Sequence, residues 1–526
     1  MRHYSIGEVC EALGIKQHVL RYWEQEVPMI RPGKDRGGRR EYTSADLNLL
    51  FRLKYLVQSR LFTVPGAYKQ LLAETSGADG NIKARLASLR GELLELKDRN
   101  RMLAGSAVRA MDPRRLYPGQ EQLFENWEAR PDRMREVLVL DSVRFPPEYV
   151  DEILALNEQA DGVMNRLPDT KNFAIMRAAG LPRSYRLQGI SRLHEGRIAV
   201  MSMIPESGAV WKTDAHPGTI PVSPVRKLSL FGMLAEKIRA ASLLVGRSFP
   251  WFVCVRARQH HHIVDYFYQN EYFGLPKDSI HFVPVEDFPY LDGNRLVLGH
   301  DGGIASYAGG PGACFRAISG PDFVQRLEEH KVEDIYCMPL ENPMPGFPHP
   351  EFLGLHEARS GGVSAKAVRG DRFAGQGSGG KLFYPTGVYI VRTSVLRRLH
   401  ATLPFAAAED RIDTVNPASP LDDTQNRAVR RLALRMMLLM IQPPDPVIMD
   451  VDPQAEYCPL QTNDGPYSPA YLAERLSDKF YAWLEEGERI EAGQGVYIDA
   501  SQELIEVSPF YAPDRQAFRA RMESSS

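Results

Sequence analysis

The stretch YSIGEVCEALGIKQHVLRYWEQE, residues 4–26, predicts two short helices joined by a tight turn. Ser5 and Glu8 have the spacing of a capping box, in which each side chain bonds a free backbone N–H of the first turn. Gly14 follows the last apolar position of the first helix and permits the turn. A second helix is predicted over residues 17–25. The pattern is that of a helix-turn-helix.

The second helix carries a polar face. Val19 and Leu20 are predicted to face the core, and the opposite face carries Lys16, Gln17, His18 and Arg21. The major groove of DNA admits one helix, and such side chains can bond base edges and phosphates. We therefore predict that these four residues contact double-stranded DNA.

A basic loop follows, RPGKDRGGRREY at residues 31–42. Its glycines permit a sharp turn from which cations can reach phosphate oxygens. Taken alone, the loop would be interpreted as a solvated basic surface. Its position directly after a helix-turn-helix favours a DNA-contacting wing.

The segment 4–72 resembles the MerR family of bacterial transcriptional regulators. LRYWE at residues 20–24, the Arg-Pro pair, the loop ending in RREYT and the following DLNLL occur in the order of that family. The resemblance implies an all-α winged helix-turn-helix DNA-binding domain, predicted over residues 1–76. The alternative for Tyr22 and Trp23 is that they are core aromatics, and we expect this of Trp23. The resemblance also implies a set of DNA contacts: Arg21, Tyr22, Arg39, Arg40 and Tyr42.

Residues 82–103 have a heptad pattern. Apolar residues and one Asn recur at alternating spacings of four and three: Ile82, Leu86, Leu89, Leu93, Leu96, Asn100 and Leu103. This spacing predicts a coiled-coil helix over residues 80–104. The alternative is an amphipathic helix packed on its own domain. MerR-type regulators pair through such a helix, so the resemblance favours a homodimer.

Charge and composition limit the remaining possibilities. Residues 1–110 hold 19 Lys and Arg against 12 Asp and Glu, and the rest of the chain holds 45 against 54. A basic end on an acidic chain fits a nucleic-acid module joined to a different one. Five scattered cysteines without CxxC spacing indicate a reducing cytoplasm and argue against structural zinc. No stretch is apolar enough to predict a membrane span, and the histidines at 260–262 are expected at the surface.

The larger part of the chain alternates strand-like and helix-like segments, which predicts a multidomain chain ending in an α/β domain with a largely parallel sheet. Ligands of such sheets bind beyond the carboxyl ends of the strands. Strands are predicted at residues 136–140, 197–203, 250–255, 280–285, 334–340 and 382–391, and helices include 228–245 and 321–330.

From Val222 onward the chain resembles the UDP-sugar pyrophosphorylase family. The matching segments include PVSPVRKLSLFGMLAEKI (221–238), YFYQNEYFGLPKDSIHFV (266–283), GGPGACFRAI (309–318) and EYCPLQTNDG (456–465). The resemblance implies a Rossmann-like, GT-A-like nucleotidyltransferase domain over residues 196–400 with a C-terminal extension over 401–526. Residues 105–195 would be a linker and helical extension. Whether 119–196 joins the α/β domain or forms a separate cap stays open.

The chain departs from this family where phosphate is handled. The family's loop G-G-x-G-T-R-L-G cradles the triphosphate, whereas residues 204–222 read IPESGAVWKTDAHPGTIPV, with Glu206 in the loop. The family's P-L-K-N is replaced by Pro459–Leu460–Gln461–Thr462, without the lysine. Because phosphoryl transfer depends on positioned cations and metal, catalysis is predicted to be lost.

The nucleotide-holding positions are predicted to survive. Gly310 and Gly312 fall on the family's G-N-G-G loop, and Asn342 keeps the amide of its Asp-Asn pair. We predict nucleotide binding at these three residues, and no catalytic or metal-binding residue is assigned. Alternatively, the glycines serve only as turn residues.

Three functions follow as hypotheses. The leading one is a DNA-binding transcriptional regulator whose inactive nucleotidyltransferase-like domain senses a nucleotide or nucleotide sugar. The alternative is an active UTP-sugar-1-phosphate uridylyltransferase that uses Mg²⁺ and takes phosphate contacts from Lys212, Arg226 and Lys227. The third is a protein-interaction scaffold without a small-molecule ligand.

Overall fold

The computed structural model describes residues 4–30, 32–34, 38, 40–54, 56–57, 64, 66–68, 71, 117–125, 128, 130, 132–160, 173–205, 216–359, 362–369, 383–399, 403, 405–415, 424–434, 445–485, 488, 491–493 and 495–525. The chain divides into two compact units, Met1–Pro113 and Arg114–Ser526. The predicted coiled-coil helix at 80–104 lies outside the described residues.

The first unit contains three helices and a small antiparallel sheet within residues 4–54. These elements are β1 (Tyr4–Ser5), α1 (Ile6–Leu13), α2 (Gln17–Glu26), β2 (Gly33–Lys34), β3 (Arg40–Tyr42) and α3 (Ser44–Lys54). The strand order is β1-β3-β2. The sequence interpretation of this domain as all-α therefore needs correction, because the chain returns from the basic loop in extended conformation.

Local interactions begin and end these helices as the sequence predicts. The Ser5 backbone N–H donates to Glu8 at 2.7 Å, and the Glu8 N–H donates to Ser5 Oγ at 3.4 Å. Gly14 follows α1 with φ +60°, a left-handed conformation that favours glycine. Lys54 Nζ donates to the Leu13 carbonyl at 2.6 Å, which satisfies a free group at the end of α1. Trp23 is 2% exposed, confirming it as a core residue.

The second unit is built on a mixed sheet. Its strands are β4 (Ala174–Arg177), β5 (Ile198–Met203), β6 (Trp251–Arg256), β7 (Ile280–Val285), β8 (Asp287–Pro289), β9 (Leu291–Asp292), β10 (Arg295–Leu296), β11 (Ser306–Ala308), β12 (Asp334–Pro339), β13 (Val363–Arg369), β14 (Phe383–Arg392), β15 (Phe405–Val415), β16 (Thr424–Leu434), β17 (Val447–Asp450), β18 (Val496–Asp499) and β19 (Leu504–Val507). Eight of them form one sheet in the order β4-β17-β13-β14-β12-β5-β6-β7. Only β14 runs antiparallel to its neighbours in this sheet.

Helices cover both faces of this sheet. They are α4 (Asp132–Arg144), α5 (Pro147–Ala160), α6 (Arg183–Glu195), α7 (Leu230–Val245), α8 (His260–Gln269), α9 (Gly310–Ser319), α10 (Pro321–Glu329), α11 (Pro350–Arg359), α12 (Thr393–Leu399), α13 (Pro453–Glu456), α14 (Pro469–Tyr481) and α15 (Arg515–Ser525). Alternation along β5 divides the core, since Ala199 and Met201 join one buried cluster and Ile198 and Val200 join the other.

Five of the six predicted strands are confirmed to within two residues, and the sixth is wrong. Residues 136–140, EVLVL, alternate like a strand but lie inside α4. Leu138 is fully buried, whereas Leu140 is 48% exposed. A helix with one apolar face, which includes Leu138, can pack on the core at this position. This packing overrides the preference of Val137 and Val139 for a strand.

The described residues between 119 and 196 contribute to the core of the second unit. Leu138, Phe145 and Tyr149 lie in the same buried cluster as Met201 of the central strand β5. Strand β4 extends the sheet by pairing parallel to β17. The open question about these residues is therefore answered in favour of the α/β unit.

Candidate functional site

Helix α2 presents a polar face to solvent. Lys16, Gln17, His18 and Arg21 are exposed, and Tyr22 is 47% exposed. Leu20 and Trp23 form the buried side of the same helix. The structure thus brings all five predicted contact residues from this segment onto or beside one accessible helix.

The buried residue Tyr42 connects this helix to the strand after the basic loop. Tyr42 has no exposed surface, and its hydroxyl donates to the carboxylate of Glu24 on α2. Burial and the Glu24 carboxylate raise the pKa of Tyr42, so the phenol remains a neutral donor. The prediction that Tyr42 contacts DNA directly is therefore corrected, because the ring is enclosed by the domain core.

Arg40 takes part in the same contact. Its Nε lies 2.9 Å from Glu24 Oε2, while the side chain keeps 44% of its surface exposed. One carboxylate therefore holds both a buried phenol and an exposed cation of β3. Arg39 lies outside the described residues. Sequence reasoning did not assign a role to Glu24, although it stands in the LRYWE motif.

In the second unit, the candidate ligand-binding edge lies where β5 and β6 end. Gly310 and Gly312 are buried in the first turn of α9, and Gly310 has φ +58°. The Ile204 backbone N–H, just beyond β5, bonds Cys314 Sγ at 3.4 Å. This bond joins the end of β5 to the helix that begins with the two glycines.

Asn342 does not line this edge as an available amide. It is 1% exposed, and its Nδ2 donates to the carbonyls of Thr386 at 3.0 Å and Glu456 at 2.9 Å. Its Oδ1 accepts from the Cys458 N–H at 3.2 Å. The prediction that Asn342 binds nucleotide is corrected, because its side chain is fully hydrogen-bonded to two backbone segments that are distant in sequence, at Thr386 and at Glu456 to Cys458.

Two of the cations proposed to replace the phosphate loop already have hydrogen-bond partners within the protein. Arg226 donates to both carboxylate oxygens of Glu236 at 2.7 Å and to Glu506 at 2.7 Å. Lys227 Nζ donates to the Pro224 carbonyl at 2.7 Å. Lys212, Gly208 and Glu206 lie outside the described residues. Bidentate pairing of this kind neutralises Arg226, which counts against it as a phosphate ligand.

Gly218 has a packing role. A Cβ added at this position would lie 2.2 Å from the Phe231 ring, so a larger residue does not fit. The neighbouring His216 stacks on the same ring with centroids 5.1 Å apart. Gly218 therefore permits the close packing of this segment against Phe231.

The described residues do not include a ready-made magnesium centre. Among the described residues, no group of three or more His, Cys, Asp or Glu side chains is arranged to hold a metal ion. The side-chain amide of Asn342, next to Glu341, has all its hydrogen bonds within the protein.

No helix in the described ranges has the length and apolar character needed to cross a membrane. The exposed side chains of His261 and His262 confirm the predicted surface position of that run.

Comparison with known proteins identifies both parts of the chain. Residues 4–74 match the family model described as MerR HTH family regulatory protein. A segment of 278 residues, 49% of this chain, is 24% identical to UDP-N-acetylglucosamine pyrophosphorylase of Saccharomyces cerevisiae and spans 58% of it. UDP-N-acetylglucosamine diphosphorylase 2 of Arabidopsis thaliana is 21% identical over 269 residues, which are 48% of this chain and 53% of that protein.

A solved structure shares the fold of the larger unit. The uridine diphosphate N-acetylglucosamine pyrophosphorylase of Trypanosoma brucei, crystallised with an inhibitor, has a TM-score of 0.61 and 17% identity. The similarity covers 79% of this chain and 95% of that one. The chain thus joins a MerR HTH domain to a region homologous to UDP-N-acetylglucosamine pyrophosphorylases. The chain spans little more than half the length of the curated relatives that it matches.

Proposed function

We propose that this protein is a DNA-binding transcriptional regulator whose second unit binds a nucleotide or nucleotide sugar without transferring it. The observation that carries the proposal is the exposed polar face of α2 held to β3 by Glu24. The MerR family match supports DNA as the partner of this face.

Recognition would divide between the helix and the loop. Gln17, His18 and Arg21 reach base edges from α2, while Lys16 and Arg40 bind phosphates. Arg39 adds a further phosphate contact. Pairing of two chains through residues 80–104 presents two such helices to a pseudo-palindromic operator.

Loss of transfer chemistry is the second part of the proposal. The lysine of the family's P-L-K-N motif is Gln461 here, and Arg226 is neutralised by Glu236 and Glu506. Without positioned cations a departing pyrophosphate is not stabilised. Binding can persist, and a ligand with unequal affinity for two states of the protein shifts it between DNA-compatible and DNA-incompatible forms.

Selection of bound duplexes from a random library by the full chain tests the first part. Recovered sequences should share a pseudo-palindrome, and affinity should fall steeply with salt. Fluorescence anisotropy on a selected duplex, with and without UDP-N-acetylglucosamine, then tests the second part. No enrichment of any sequence over the starting library would count against the regulator.

The homology of the second unit supports an active uridylyltransferase as the other candidate. Pyrophosphate release from UTP, Mg²⁺ and a panel of sugar 1-phosphates separates the two. Steady turnover would establish the enzyme and overturn the proposed loss of chemistry, whereas nucleotide binding without turnover supports the sensor.

A further inference from the structure

Two buried nitrogen donors near the candidate ligand-binding edge have no acceptor among the described residues. They are His216 Nε2 and Arg256 Nη2. Buried donors in native proteins almost always have a hydrogen-bond partner, so an unpaired one calls for an explanation. Two such donors in one neighbourhood indicate that a ligand supplies the acceptor.

The structure settles which hydrogen His216 offers. The ring is 3% exposed, and its Nδ1 accepts the Gly218 N–H at 3.0 Å. In a neutral imidazole the other nitrogen then carries the proton. Burial and the nearby Arg256 guanidinium lower the pKa of His216 to about 3, so the ring is neutral near pH 7. His216 Nε2 is therefore a fixed, uncharged donor.

Arg256 supplies the charge. It is the last residue of β6, and its Nε donates to Asp287 Oδ1 at 2.5 Å. Asp287 is also bonded by Arg144, and Arg258 Nε lies 3.7 Å from it. Asp141 lies 3.7 Å from Arg144. Three guanidinium groups thus lie around Asp287, and Arg256 Nη2 has no acceptor among the described residues.

Sheet register places the partner of Arg256, Asp287, near α9, and His216 lies close enough to Arg256 to be affected by its charge. Asp287 of β8 is paired with Ala308 of β11, and Gly310 begins α9 two residues later. Helix α9 has ten residues, and the free N–H groups of its first turn favour an anion. Ile204, at the end of β5, bonds Cys314 of the same helix. The ends of β5 and β6 and the start of α9 thus meet at one place.

We propose that Arg256, His216 and the first turn of α9 bind the diphosphate of a nucleotide, in place of the missing glycine-rich loop. This inference rests on the proposed ligand-binding function and names the group recognised. Arg256 offers one charged hydrogen bond and His216 one neutral bond, both already desolvated. The set binds a phosphate group but provides no second positioned cation for a leaving pyrophosphate.

Substitutions at His216 separate its two nitrogens. His216→Asn keeps an acceptor at the Nδ1 position for the Gly218 N–H but removes the Nε2 donor. His216→Gln places an amide N–H at the Nε2 position and loses the Nδ1 acceptor. If the Nε2 donor binds phosphate, His216→Gln should bind UDP more tightly than His216→Asn does. His216→Asn should instead have the higher melting temperature, because it keeps the acceptor for the Gly218 N–H. A purely structural histidine would make affinity and stability change together.

Isothermal titration calorimetry on the full chain tests the site, with UDP, uridine and inorganic phosphate as probes. Arg256→Gln should weaken UDP binding at least tenfold and leave uridine binding unchanged. The matched control, Arg258→Gln, removes a half-exposed arginine from the same carboxylate and should stay within threefold of wild type.

Three results would overturn the site: wild-type UDP affinity in both Arg256→Gln and His216→Asn, no binding of any probe to the wild type, or inorganic phosphate binding as tightly as UDP. These measurements are made without DNA. Failure of the effector to change DNA affinity would therefore reject the regulatory proposal while the phosphate site stands.

Discussion

The hydroxyl of Tyr42 donates a hydrogen bond to the carboxylate of Glu24 within the first unit. Tyr42 belongs to the strand that follows the basic loop, and Glu24 belongs to the helix with the exposed polar face. Since the phenol is fully buried, the bond is shielded from water and sets the position of β3 relative to α2. The two DNA-contacting elements of the proposed interface are therefore joined through the core.

Tyr42→Phe should separate positioning from direct contact. Loss of the buried hydroxyl is expected to lower the free energy of unfolding by about 1–2 kcal/mol, because Glu24 loses a partner. DNA affinity should fall, but the dependence of log affinity on log salt should keep its slope, since no phosphate contact is removed. Urea denaturation and anisotropy titrations measure the two effects. Tyr22→Phe, at a half-exposed site, is the control for stability.

Arg21→Ala should weaken DNA binding and remove the preference for one base at one operator position, because we propose that Arg21 reaches a base edge. The dependence of log affinity on log salt should keep its slope, whereas loss of a phosphate contact would reduce that slope by about 1. Anisotropy at several salt concentrations on matched and mutated operators distinguishes these results. Arg177→Ala, which removes a cation with 74% side-chain exposure from the second unit, is the control. Affinity and sequence preference equal to wild type would contradict the role given to α2.

Asn342→Asp should destabilise the second unit. The amide faces two carbonyls, so a carboxylate would bring an unpaired buried charge against two acceptors. The expected loss is about 3 kcal/mol or more, and it should grow as pH rises and the new group ionises. Urea denaturation at two pH values measures this, with Asn463→Asp at an exposed position as control. Unchanged stability together with weakened UDP binding would restore Asn342 to the nucleotide site.

The stability of the second unit should depend on His216 in acid. Its pKa is about 3 in the folded protein and 6.5 for an ordinary solvated histidine, so the unfolded chain binds the proton more readily between these values. Stability is therefore fully present above pH 6.5 and is lost as pH falls, by up to ~1.4 kcal/mol per pH unit.

In His216→Asn this dependence is absent. The difference in unfolding free energy between wild type and variant should shrink by about 2 kcal/mol between pH 6.5 and pH 5. Urea denaturation across this range is the measurement, with the exposed His261→Asn as control. A difference that stays constant with pH would show that His216 titrates normally in the folded protein.

Short-range patterns predicted the local structure well. The capping pair Ser5 and Glu8 forms as its spacing indicates, and Gly14 ends the helix. Such features depend on residues within one helical turn, so they can be read from the chain. Residues 136–140 were the exception, because the choice between helix and strand there depended on the layer against which Leu138 packs.

The candidate sites were predicted only in part. The exposed face of α2 follows from helical periodicity, but the burial of Tyr42 does not, because its partner Glu24 lies in another element. Asn342 looked like a retained ligand-binding amide, yet backbone groups from Thr386, Glu456 and Cys458 occupy it. Sequence reasoning missed Arg256, and the only available signal was an arginine at the carboxyl end of a predicted strand.

The sequence by itself determined the two-part organisation of this protein, because helix caps, glycine turns and the order of family motifs are properties of the linear chain. Only the tertiary structure decided which polar groups are paired within the protein and which can still bind a ligand. A hydrogen bond or an ion pair depends on distance in space. Only the folded chain therefore shows that Arg226 is neutralised, while Arg256 Nη2 and His216 Nε2 have no acceptor in the part of the chain that the structure describes.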